Sequence, residues 1–423
     1  MRSFLRFLGS LVFLNTLAVL AAAQADAGKA IDEFISPYAK AGHFSGVVVA
    51  AKDGKVLFER AFGNASAEHD VPNTPSTRFL IASITKPMTV VVLVRAIEAG
   101  KVRLEDKLSK YVPDFPRGDE ITIEMLSRHT SGIPHRVTSP LEEAEPSSPS
   151  KMVEKAKKAK LEFDPGTGNL YSSTGYAVLA RVLEVALGKS YSELLEEHVF
   201  GPAGLKDSVD FRSGEVIERR AEDYFLEGAH WTTTPLKDYS FLAGAGSVFG
   251  TARDVYSFGK TMTDGKFGEL VSANFVRNGV FAGNGSTNGW RANVRIDTNS
   301  GVAYALVANL GSGANDVILR ALPDLITGKK VEAAPVPRPV VDLKVKNELS
   351  DYVGNYKLGN SGFEILVQNG ELYAGAYKLL PLGKDRFYSF WSYAEISFER
   401  SEDGKVNGLK WDGSGGVSEW VRQ

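Results

Sequence analysis

The sequence predicts an α+β protein. An antiparallel sheet is assembled from both ends of a large N-terminal domain, helices fill the interval, and an all-β tail follows. Three observations carry this. Phe44–Ala51, Asp53-Gly54 and Lys55–Arg60 form a strong hairpin pattern early in the domain. Val294–Asp297 and Val302–Asn309 read as a strand pair near its end. Beyond Tyr352 the pattern changes to about eight short strand-like segments, which suggests a small antiparallel meander barrel.

At 423 residues the chain has room for two or three domains, and 43% hydrophobic with 24% charged residues is ordinary globular composition. A net charge of −2 leaves no nucleic-acid footprint. There is no cysteine, so disulfides, thiolate nucleophiles and Cys-ligated metals are excluded. The histidines show no metal-ligand spacing, and no metal or organic cofactor is expected.

Residues 1–25 read as a signal peptide. Met1–Arg6 is basic, Phe7–Leu20 is an apolar run of signal length, and Ala21-Ala-Ala23 and Ala23-Gln-Ala25 are both cleavage patterns. Asn15 and Thr16 interrupt a run already short for a bilayer, so no stable membrane anchor is expected after cleavage. A periplasmic or secreted location follows.

Ala27–Ala41 places Ile31, Phe34, Ile35 and Tyr38 on one helical face. After the hairpin, Val71–Pro75 is a loop leading to Phe79–Thr89 and the apolar run Val90–Val94, stopped by Gly100. Thr122–Gly132 reads as a helix capped at Thr122, with Gly132 past its end. Ser139–Ser150 is polar and proline-bearing, hence a surface loop, and the lysine-rich helix Lys151–Lys160 reads as a solvated face. Asn169–Tyr176 opens a helix ended by Gly188, and a further helix spans Ser190–Val199. Thr251-Ala-Arg-Asp254 resembles a capping box, and Asn315–Ile326 closes the domain as a helix. Residues 331–347 carry three prolines and read as a stiff linker between a domain at 29–330 and a barrel at 348–423. Asn369-Gly370, Asp403-Gly404 and Asp412-Gly413 are the expected barrel turns.

The candidate chemistry begins at Ser83-Ile-Thr-Lys86. Ser83 stands where a helix starts, and a helical Lys86 would share its face. A hydroxyl beside an amine at a helix N-terminus is one way to activate a nucleophile. On that stretch alone plain capping is the simpler reading. Two further Ser-x-x-Lys matches exist, Ser148–Lys151 in a loop and Ser257–Lys260 late in a short helix.

Two later stretches shift the balance: Tyr171-Ser-Ser173 and Gly283-Asn-Gly-Ser286. With Ser83–Lys86 in this order they resemble the serine β-lactamase and penicillin-binding protein superfamily. The similarity looks closest to class C β-lactamases, D-Ala-D-Ala carboxypeptidases, D-aminopeptidases and β-lactamase-fold esterases. His129-Thr-Ser-Gly-Ile133, Pro165-Gly166 and Gly244-Ala-Gly246 add to it. The tail resembles the lipocalin-like domain appended to such enzymes.

The resemblance implies a β-lactamase/transpeptidase-like sheet flanked by helices, with an all-helical subdomain. It implies Ser83 as acylated nucleophile, Lys86 as base or electrostatic partner and Tyr171 as proton relay. The backbone N–H groups of Ser83 and Ser286 would form the oxyanion hole, with Ser173, Asn284 and Gly285 binding substrate beside them. His129 reads instead as structural, fixing its helix end.

Two positions depart from the family pattern. Ser173 replaces an Asn whose amide holds the substrate amide, and a hydroxyl is shorter with one donor. Gly283 replaces a Lys or His, and Arg291 is the nearest cation in sequence to stand in. Both changes favour an esterase-like hydrolase of small ester or amide substrates. The alternatives are a D-Ala-D-Ala carboxypeptidase or D-aminopeptidase acting on peptidoglycan peptides, and a catalytically decayed binding module.

Overall fold

A computed structural model describes residues 26–228, 230–332, 349–375, 377–413 and 416–423. The signal-peptide reading (1–25) and nearly all of the linker reading (331–347) lie outside the described residues. The chain divides into two compact units. One comprises Gly46–Glu222 and Pro235–Asn309, and the other the segments up to Ser45, Asp223–Thr234 and Leu310 onward.

The first unit is built on a six-stranded antiparallel sheet. Its order is Val276–Arg277, Val280–Thr287, Trp290–Asp297, Val302–Ala308, Gly46–Lys52 and Lys55–Phe62, so both ends of the sequence meet in its centre. The early hairpin forms as expected: Asp53 (φ 50°) and Gly54 (φ 76°) both occupy the left-handed region that a tight two-residue turn requires. The late strand pair is in fact a longer meander. Gly283–Ser286, which admits a turn reading in the sequence, lies inside the edge-proximal strand Val280–Thr287, and the turn falls at Asn288-Gly289. Two glycines weaken the strand signal there, and cross-strand pairing to Trp290–Asp297 overrides it.

Helix Ala252–Thr263, capped by Thr251 accepting from the Asp254 N–H, covers the sheet. Gly259 makes the approach close: a Cβ there would lie 2.7 Å from Val294 Cγ2. Away from the sheet, helices Thr85–Glu98 and Ser173–Leu187 bury long apolar faces in one continuous core. Ser172 caps the second, accepting from the Gly175 N–H at 2.8 Å, and Gly188 ends it with φ 69°. The helix at Ser190 carries a complete capping box with Glu193 and continues through a π turn, Glu196–Phe200. The acidic loop is not wholly at the surface, because Glu143 is only 4% exposed.

The second unit contains a helix at 26–40, a small sheet of Leu310–Gly311, Tyr224–Glu227 and His230–Thr233, helix Ala314–Ile326, and a closed eight-stranded barrel. All eight barrel strands lie where the sequence places them, from Gly354–Leu358 to Gly416–Arg422, each paired to its sequence neighbours. One turn differs: Asp412-Gly413 ends the strand Val406–Gly413. Tyr352, Tyr356, Phe387 and Phe398 fill the interior with edge-to-face and tilted contacts.

The barrel segment after Arg386–Ser389 packs on the other elements of its own unit. The Gly313 N–H donates to Phe390 O at 2.9 Å, and His43 Nδ1 lies 2.9 Å from Tyr393 Oη. A Cβ at position 313 would lie 2.6 Å from Trp391 O, so only glycine fits.

Candidate active site

Strand pairing sets the site. Phe79–Leu80 pairs with Val248–Gly250, and the Ile81 N–H donates to Val248 O at 2.9 Å. The chain then turns sharply. Ala82 takes φ 46°, unusual for a residue with a Cβ, and Ala82–Ile84 form a 3₁₀ turn ahead of helix Thr85–Glu98. Ser83 is therefore not the helix cap its position suggests. Neither the turn nor the helix has a side-chain cap, and Ser83 Oγ is engaged elsewhere. The rival serines are accounted for locally. Ser148 caps helix Pro149–Ala156, and Lys260 pairs with Asp264 one turn on.

Two groups converge on Ser83 Oγ. Lys86 Nζ lies 3.3 Å away, and the Tyr171 hydroxyl donates to it at 2.7 Å. Lys86 Nζ also donates to Ala245 O at 2.8 Å and lies 3.3 Å from Ser173 Oγ, so the shorter hydroxyl at 173 still reaches the amine. The ammonium sits 4.6 Å from the centre of the Tyr171 ring. Burial disfavours its charge, and the neighbouring Arg136 adds to this, so the Lys86 pKa falls from 10.5 to about 7. Burial moves Tyr171 the other way, above its ordinary value, with the Ser83 hydrogen bond opposing. Near neutral pH the lysine can accept a proton, while the tyrosine keeps its own.

The tyrosine is held by two histidines. His129 sits just beyond the short helix Ile123–Ser127 with φ 61°. Its ring lies 4.7 Å from the Tyr171 ring, and its Nδ1 accepts from the Ser172 N–H at 3.1 Å. His135 lies 5.4 Å from the Tyr171 ring, and its Nδ1 accepts from the Ser173 N–H at 3.3 Å. Burial first, then Lys86 and His135, lowers the His129 pKa to about 4. Burial, then Arg136 and Lys86, lowers that of His135. Both rings are neutral at pH 7 and act as acceptors for backbone N–H groups. The reading of His129 as a helix-end residue understates it, and His135 has no signal in the sequence beyond its nearness to His129.

The strand Val280–Thr287 forms the other wall. Gly285 is required there, because a Cβ would lie 2.2 Å from Ile81 O and 2.8 Å from Ser83 N. Asn284, Ser286 and Thr287 line a cleft of about 250 Å³ together with Ser83, Tyr171, Ser173 and Gly246. Thr287 Oγ1 is buried without a hydrogen-bond partner among the described residues. A side chain at Gly283 would meet Val294, Phe281 and Ile84, so this strand carries no cation into the cleft. Arg291 does not line it either, and its guanidinium donates to the carbonyls of Asn288 and Trp290. The cleft cation is Arg136, which sequence reasoning missed because it lies far from all three motifs in the chain. Among the described residues no cluster could hold a metal ion.

Residues 31–328 match the family model described as Beta-lactamase. Penicillin-binding protein 4* of Bacillus subtilis (strain 168) is 26% identical over 414 residues, 85% of this chain and 91% of its own length. The teichoic acid D-alanine hydrolase of Staphylococcus aureus (strain MRSA252) is 30% identical over 241 residues, 54% of this chain, and the matched region spans 56% of that protein. The D-amino acid amidase of Ochrobactrum anthropi SV3 has the same fold, with a TM-score of 0.62 and 22% identity over 72% of this chain and 99% of that one. With the match extending over most of its length, the chain belongs to the β-lactamase family, whose members include penicillin-binding proteins and serine hydrolases.

Proposed function

We propose that the protein is an exported serine hydrolase that cleaves small ester or amide substrates through an acyl-enzyme on Ser83. The observation that carries this is the convergence of Lys86 Nζ and the Tyr171 hydroxyl on Ser83 Oγ. Ser83 Oγ attacks the substrate carbonyl carbon and gives its proton to the neutral Lys86 amine. The N–H groups of Ser83 and Ser286 hold the resulting oxyanion. Tyr171 passes a proton to the leaving group as the tetrahedral species collapses, and Lys86 restores it. Water then attacks the acyl-enzyme by the reverse route. The family includes a D-alanine hydrolase and a D-amino acid amidase, which supports D-aminoacyl esters and amides as a second reading. Ser173 and Gly283, which lack the amide and the cation of the family pattern, favour the ester side.

The test is covalent labelling of Ser83 by a fluorophosphonate, with turnover of 4-nitrophenyl acetate or butyrate. Ser83→Ala should lower kcat by at least about 10³-fold while leaving thermal stability near wild type. Wild type and Ser83→Ala equally inert towards esters, D-alanyl peptides and cephalosporins would leave a binding module as the better account. Export through residues 1–25 is checked by fractionating the host cells and sequencing the mature N-terminus.

A further inference from the structure

Arg136 faces the cleft, and its surroundings are built to keep it there. Its Nη1 donates to Glu143 Oε1 at 2.9 Å, where Thr138 Oγ1 also donates at 3.2 Å. Glu143 is buried, with a side chain 5% exposed, and its second oxygen pairs with Lys237 Nζ at 2.7 Å. The Asp238 N–H donates to the Glu143 carbonyl at 2.8 Å, tying this short helical turn to the Lys237 segment. One carboxylate thus serves two cations, and a positive charge is left over. Among the described residues no Asp or Glu lines the cleft, and Lys86 is cationic below about pH 7. A cleft walled by protein and carrying charge of one sign focuses its field on the substrate.

The Arg136 side chain is 42% exposed, and the Glu143 bond occupies Nη1. The rest of the planar fork remains to meet an anion, with geometry suited to a carboxylate. The anchored end reduces the side-chain entropy that binding would otherwise cost. The other polar groups lining the cleft offer no fixed charge: His135 is neutral, and Asn284, Ser286 and Thr287 are uncharged.

Resting on the serine hydrolase reading, we propose that Arg136, held by Glu143, is the specificity residue that recognises a carboxylate on the substrate, so that the preferred substrates are anionic acyl compounds.

The experiment uses the full chain as wild type, Arg136→Ala and Arg136→Lys. The substrates are 4-nitrophenyl hydrogen adipate and 4-nitrophenyl hexanoate, matched in chain length and different in charge. The readout is the ratio of their kcat/KM values. Wild type should favour the adipate ester, with a ratio that falls as salt is added. Arg136→Ala should lower the ratio by about tenfold or more, and Arg136→Lys should restore part of it. A ratio equal in wild type and Arg136→Ala would overturn the proposal, and thermal unfolding checks that both variants are folded. Calorimetric binding of the adipate half-ester to Ser83→Ala, with and without Arg136→Ala, separates this inference from the hydrolase reading. Arg136-dependent binding without turnover in wild type would sink hydrolysis and keep recognition. Turnover with an Arg136-independent ratio would sink recognition alone.

Discussion

The barrel and the cleft put the same kinds of residue to opposite uses. In the barrel, aromatic side chains fill a closed interior and their hydroxyls are satisfied at home: Tyr356 donates to Tyr352 O and Tyr352 to Asp385. Each strand pairs with the next one in sequence, so stability is assembled from local contacts. In the cleft, Tyr171 is 43% exposed and its hydroxyl donates a hydrogen bond to a serine 88 residues away. Lys86 is 5% exposed, with no carboxylate acting on it among the described residues, and Ala82 holds a left-handed backbone angle. The barrel interior pairs and packs its groups in ways that favour stability. The cleft keeps groups in states that oppose stability, because those states are reactive.

Four changes test that contrast. Gly285→Ala should have the largest effect, since its methyl collides with the backbone that carries Ser83. It should lower kcat/KM by about 100-fold or more and cost roughly 1–3 kcal/mol of stability. Retained turnover would show that the strand can move away from the nucleophile turn. Phe387→Ala empties the barrel centre and should cost about 3–5 kcal/mol in denaturant unfolding. A loss below about 1 kcal/mol would mean that the barrel interior collapses around the void.

The third change is pH. With Lys86 titrating at about 7, the acylation rate should rise about tenfold per pH unit below that value and level off above it. A flat profile from pH 5 to 8 would remove the lysine as base. The fourth is a buried acid outside the chemistry. Asp210 accepts from Ser192 Oγ at 2.6 Å and from Ser247 Oγ, yet burial raises its pKa from 3.8 to about 6. Between those values the unfolded chain has released a proton that the native state keeps. Stability therefore falls as pH rises from about 4 to 6, by on the order of 2–3 kcal/mol. Asp210→Asn should flatten that slope, and an unchanged slope would assign it to other groups.

Much of this was legible in the chain itself. The eight barrel strands, the Asp53-Gly54 hairpin and the caps at Thr122 and Thr251 follow from alternation, turn chemistry and capping, which act over a few residues. The order Ser83, Lys86, Tyr171 and Ser286 carries the family, because each motif is short and local. Four matters belonged to the tertiary structure. Ser83 is freed from capping by a turn that strand pairing with Val248–Gly250 imposes. Gly283–Ser286 is strand because its partner makes it so. Lys86 has a lowered pKa because a core closes around it. The cleft cation is Arg136, held by a buried Glu143 that the sequence places in an exposed loop. Burial and long-range neighbours set these four, and neither is written in the few residues on either side.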